Sequence, residues 1–314
     1  MNRRLIKILI IIWSVIAFIA AAFLVYGISH AGSFGMFEFG HIDDSYIVQK
    51  SQSIQVSNCN KIGLNFPRGN VIIQTTNEPS LKVVQSSSRK LKDKDKFTIK
   101  KQGDNIQIET GAKNRAFTFS IFDFDEDTSN EKIEIYIPKD YAKDLDVNTS
   151  SGNILFSSDM KLNDINCSQG SGDFKIQNSI TANNAAIKTN SGDIYIASLD
   201  SKYYNIEAAS GDILVKYILG SGNAKAVSGN IKMNYKSIGE YAKASSTSGD
   251  VKLILPQNLS FKFEGECTSG DIKGDFPLNY ENDRKSKASA QVGNDPYKTI
   301  DVSTVSGDID ISSK

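Results

Sequence analysis

Apolar and polar residues alternate with period two along most of the chain after residue 46. Such alternation predicts half-buried strands, and no long window shows the recurrence of an amphipathic helix. From residue 141 onward one tripeptide, Ser-Gly-Asp or Ser-Gly-Asn, punctuates the pattern. The best-placed glycines are Gly152, Gly172, Gly192, Gly211, Gly229, Gly249, Gly270 and Gly307, at spacings of 20, 20, 19, 18, 20, 21 and 37. A fixed period of this length predicts stacked or arrayed units.

One unit shows the logic. Ile187 and Thr189 alternate with polar neighbours before Ser191-Gly192-Asp193, and Ile194 and Ile196 alternate after it. Glycine supplies a positive φ at no steric cost. Asp or Asn beside it accepts a hydrogen bond from nearby backbone N–H groups. The tripeptide therefore reads as a corner, with Asp173, Asp193, Asp212, Asp250, Asp271 and Asp308 as structural turn residues alongside the glycines. Calcium ligation by this column would suit the denser Gly-Gly-x-Gly-x-Asp repeat, which is absent. Two strands of about five residues and two turns fill one period. The expected fold is all-β: a β-solenoid of roughly 20-residue, two-strand rungs, preceded by a β-rich N-terminal part and one transmembrane helix. The inward side chains are expected to be the apolar pair after each corner, from Ile154 and Phe156 through Ile213 and Val215 to Ile272, Ile309 and Ile311. The 37-residue gap reads as two periods with one glycine missing. Residues 275–296 read as the one sizeable insertion, a surface loop or an end cap over an open sheet edge.

Ahead of the repeats, residues 47–140 form a separate N-terminal β region. Strands are expected at Ser53–Val56, Asn70–Thr75, Leu81–Gln85, Lys96–Lys100, Asn105–Glu109 and Lys132–Ile137, with a hairpin turn at Gln102-Gly103-Asp104. Arg68-Gly69-Asn70 resembles a degenerate first copy of the tripeptide. The acidic stretch Phe122–Asp127 reads as a strand running into a surface loop. Its carboxylates lack the spacing of a calcium loop.

Ile8–Ile28 is almost continuously apolar, long enough to cross a bilayer, and is preceded by Arg3, Arg4 and Lys7. The expected arrangement is a cytoplasmic stub and anchor at 1–28, a juxtamembrane linker at 29–46, and the remainder outside the bacterial cell membrane, in the repeat domain 141–314 and the region before it. A cleaved signal peptide would have a shorter apolar run.

Composition narrows function mainly by exclusion. Lysine plus arginine equals aspartate plus glutamate, 36 each, so no global field attracts nucleic acid. The two histidines, His30 and His41, lie ahead of the repeats, and the three cysteines form no Cys-x-x-Cys pair. No catalytic residue, metal site or cofactor is expected.

The Ile-Pro-Lys-Asp stretch at 137–140, the Thr-Ser-Ser-Gly-Asn-Ile stretch at 149–154 and the serial Ser-Gly-Asp-Ile units resemble the bacterial "putative adhesin" family of β-strand-repeat proteins, a domain-of-unknown-function group. Some members are similar to membrane-anchored envelope-stress accessory proteins. The resemblance implies a cell-envelope role and no catalytic residues. Three functions follow as expectations. The first is a non-enzymatic interaction or scaffold module that binds an envelope polymer or a membrane protein, with self-association open. The second is an accessory partner of an envelope-stress sensor. The third, a carbohydrate-active β-helix enzyme, would want an irregular cluster of carboxylates and basic residues in a groove.

Overall fold

An extended backbone must find its hydrogen-bond partners in another strand, and here each repeat finds them in the repeats on either side. The computed structural model describes residues 46–110 and 131–314. The expected anchor Ile8–Ile28, nearly all of the linker and the acidic Phe122–Asp127 stretch lie outside them. Among the described residues no helix is long and apolar enough to cross a membrane.

The described chain is all-β, with one short 3-10 turn at Asp93–Asp95. Successive repeats pair in parallel, in register. Ile187 lies beside Ile206 and Ile194 beside Ile213, one repeat apart. Each repeat is more extended than a pair of five-residue strands. Ile194–Ser210 is one run of 17 residues, paired to its neighbours through three stretches near 194–196, 199–200 and 203–208. The reason lies in the inward residues. Ile194, Ile196, Leu199, Ser201, Tyr204, Ile206 and Ala208 are all buried, so each repeat contributes well beyond its post-glycine pair. The side chains expected to point inward, Ile154 to Ile311, are buried without exception. Small residues such as Ser201 and Ala208 fill the remaining inward places and do not stand out in an aliphatic pattern.

Two faces result. The post-glycine face runs through 71–73, 154–156, 174–176, 194–196, 213–215 and 231–234. The pre-glycine face runs through 61–66, 144–149, 164–169, 184–189 and onward. The ladder crosses residue 141 without a break, since Lys61–Phe66 and Asn70–Thr76 pair directly with the first repeat. Lys61–Phe66 is a strand the alternation scan passed over; its inward Ile62, Leu64 and Phe66 are fully buried. Gly103 sits at positive φ in the tight turn between antiparallel Thr98–Gln102 and Asn105–Glu109.

At the far end the order of the chain is not the order of the stack. Lys298–Ser306 lies between Tyr241–Ser248 and Phe261–Ser269, parallel to both. Ile309–Ser313 likewise lies between Val251–Leu255 and Ile272–Gly274. The 37-residue spacing therefore does not conceal a missing corner. The chain skips one place, builds the outer layer, and returns to fill the gap. Within residues 275–296, Lys287–Val292 runs antiparallel along the outer side of Phe261–Ser269, and Asn279–Tyr280 pairs beyond it.

Candidate functional site

The corners stack on one another. The eight repeat glycines have φ between +115 and +152. The Asp or Asn after each corner glycine except Gly270 accepts, through Oδ1, the backbone N–H of the equivalent residue in the next layer. The series runs Asn70, Asn153, Asp173, Asp193, Asp212, Asn230, Asp250, Asp308, Asp271, with N···O distances of 2.7–3.0 Å. It repeats the reversed order of the last two layers. One side-chain oxygen of each interior member, a carboxylate oxygen of Asp or the amide oxygen of Asn, is thus committed to the backbone. Burial raises the Asp193 carboxyl above the ordinary carboxylate range, opposed by the N–H it accepts and assisted by Asp212 and Asp173 on either side. Among the described residues no group of three or more acidic, histidine or cysteine side chains is placed to hold a metal ion.

Cys59, Cys167 and Cys267 are buried, unpaired thiols. Burial pushes the Cys167 thiol far above its ordinary value, which suits a core residue and not a nucleophile.

A different kind of surface occupies the pre-glycine face toward its C-terminal end. An open groove of about 710 Å³ lies across six adjacent strands. Two outward rows line it. The first runs Glu207, Lys225, Ser245, Ser303, Glu266, Lys287, and the second runs Asn205, Asn223, Lys243, Asp301, Glu264, Ser289. Neighbours in each row sit on adjacent strands, spaced at about 4.8 Å. Beneath the rows the inward positions shrink from Ile187 and Ile206 to Ala224, Ala244, Val302, Gly265 and Ala288, whose atoms floor the groove. Gly265 is required there, since the ring of Phe263 fills the space a side chain would take. The 275–296 insertion supplies the end of the groove through Glu281, Lys287 and Ser289.

Charges in the groove are partly matched. Lys243 meets Asp301 at 2.9 Å and Lys287 meets Glu281 at 3.1 Å, and each lysine is shifted upward by its partner. Glu207 accepts from Asn205 at 2.8 Å and meets Lys188 at 3.4 Å, and together these lower its carboxyl. Among the described residues no cation closes an ion pair with Glu264 or Glu266, although both act on Lys287. Three lysines thus face five carboxylates. The sequence reading singled out the insertion but none of these row residues. A signal was present: the rows lie four and six residues before the glycines at 211, 229, 249, 307 and 270.

With this architecture in view, a family profile described as toastrack DUF4097 matches residues 59–312. The chain belongs to the toastrack DUF4097 family. A solved "putative adhesin" from Parabacteroides distasonis is similar to this toastrack chain at 13% identity, covering 84% of this chain and 96% of its own, with a TM-score of 0.50. Another "putative adhesin", from Bacteroides fragilis, covers 86% of this chain and 98% of its own at 13% identity and a TM-score of 0.47. No curated protein matches this chain. At such identities the likeness concerns the toastrack fold, and the groove must be argued from this chain's own residues.

Proposed function

We propose that this toastrack protein is a membrane-anchored β-solenoid that acts outside the cell membrane as a non-enzymatic, adhesin-like interaction module of the bacterial envelope. The groove is its contact surface. The observation that carries this reading is the pair of six-residue polar rows, walled at one end by the insertion. Regular repeats need only polar outward positions to stay soluble. A groove lined by hydrogen-bonding rows and joined to an irregular insertion is where a solenoid concentrates recognition. The anchor rests on Ile8–Ile28 and the basic residues before it. The stacked Asp and Asn residues serve as structural turns, because their acceptor oxygens hold the corners.

Photo-crosslinking side chains at Ser245 or Ser303, in the groove, and at Lys232, on the opposite outward face, test the reading in intact cells. Envelope components should be captured from the groove positions and not from Lys232. Equal capture from both faces, or capture of nothing, would refute the groove as the contact surface. A periplasm-type reporter fused at Lys314 should be active; activity confined to a cytoplasmic reporter would refute the topology.

A further inference from the structure

We infer that the groove takes an extended polysaccharide bearing free amino groups, lying across the strands along the stack. The inference rests on the groove being the contact surface and names the chemistry it would recognise.

Three observations lead to it. First, both rows that line the groove carry only hydrogen-bonding side chains, above a floor of small apolar residues. Asn205, Asn223, Ser245, Ser303 and Ser289 offer donors and acceptors, Lys225 offers donors, and aromatic rings and large aliphatics are absent from the lining. Apolar tails and hydrophobic peptide anchors find little there to bury against. A hydroxyl-rich chain finds both kinds of partner, and a polar ligand of this sort needs each buried group matched.

Second, the spacing is regular. Each row presents one side chain per strand, about 4.8 Å apart, over six strands. An extended chain of β-linked pyranose rings advances by nearly the same distance per sugar. Such a polymer can set one sugar against each successive strand without bending. A peptide strand advances per residue by less than the strand spacing, so it would fall out of step with the rows.

Third, the charges select within the polysaccharides. Asp301, Lys243, Lys287 and Glu281 are consumed in internal pairs. Glu264 and Glu266 point from one strand into the groove at neighbouring outward positions, without a described cation bonded to either. An ammonium on the sugar supplies that partner as a charge-assisted hydrogen bond. A uronate or phosphate chain would instead meet like charge.

Titration of the full-length protein with β-1,4-linked glucosamine hexamer, the same hexamer fully N-acetylated, a glucosamine trimer and a galacturonate hexamer tests this. The amine hexamer should bind about tenfold or more tightly than its N-acetylated form, the trimer should be weaker than the hexamer, and the galacturonate should not compete. In the double variant Glu264→Gln, Glu266→Gln, with an unchanged melting temperature, the preference for the amine should vanish. Absence of amine-hexamer binding, equal binding of the two hexamers, or a preference that survives the double variant would overturn the inference. Capture of a protein from Ser245 or Ser303 in cells, together with no hexamer binding, would remove the polysaccharide and leave the interaction reading standing. Absence of any capture from the groove would remove the interaction reading itself.

Discussion

A methyl group added at Gly211 would run into the carbonyl oxygen of Gly192 in the layer below, and Gly211 holds φ at +135. Either fact alone excludes a side chain. Backbone strain in this region costs on the order of 1–3 kcal/mol, and the clash adds to it because the obstructing atom is backbone. Gly211→Ala should lower the denaturation midpoint clearly, and a wild-type melting temperature would refute the stacked-corner geometry. The residue beside it behaves differently. Asp193 lies between Asp173 and Asp212, and its carboxyl is raised chiefly by burial. A carboxyl raised in the folded state binds its proton more readily there than in the unfolded chain, so folding is favoured as pH falls through the raised range. An asparagine keeps the acceptor oxygen, as Asn153 and Asn230 do in the same series. Asp193→Asn should therefore be more stable than wild type at neutral pH. The advantage should shrink as pH falls through the carboxylate range, and thermal melts across that range check both parts. A variant less stable than wild type at neutral pH would mean the charge contributes something the neutral acceptor does not.

The C-terminal strands raise the question of what an interior place in the stack is worth. Lys298–Ser306 and Ile309–Ser313 complete hydrogen bonding on both of their sides. Deleting residues 298–314 would leave the facing edges of 241–255 and 261–274 without partners and would remove the buried Ile300, Val302, Ile309 and Ile311 from the core. Hydrogen exchange of such a deletion should show protection lost from about 249 to 292 and retained in the layers before it. Uniform loss across the chain, or no loss, would refute this description. This end was also the least legible from sequence. Glycine positions and post-glycine aliphatics mark corners and inward pairs directly, because backbone conformation and burial act on single residues. Which corner neighbours which does not follow from spacing alone: a gap of 37 is equally consistent with a missing corner and with a chain that skips a place and returns. The groove was hidden for a related reason. Its rows can be aligned by their offset from each glycine, but Asp301 and Ser303 fall beside Lys243 and Ser245 only once the return is known.

At the scale of the molecule, each layer touches chiefly its neighbours, so stability is close to a sum of layer and interface terms. The consequence depends on position. Ile213 is fully buried in a central layer, held between Ile194 and Ile231. Ile272 is equally buried, but its three-residue strand is the outermost on the post-glycine face among the described strands, paired to Ile309–Ser313 on one side. An aspartate at either place buries an unpaired charge, a local penalty on the order of 4 kcal/mol or more. Side-chain burial alone would make the two substitutions equivalent. Nearest-neighbour stacking makes them different, because removing a central layer strips partners from both directions, while removing an end layer strips them from one. Ile213→Asp should abolish folded protein or expose most of the repeat region to exchange. Ile272→Asp should leave layers up to about residue 233 protected and should disturb the groove end built by Glu264, Glu266 and the insertion. Measured by hydrogen exchange on both variants, identical exchange maps would mean that the stack unfolds as one cooperative unit. Graded maps would mean that its recognition end can be loosened while the rest of the stack stands.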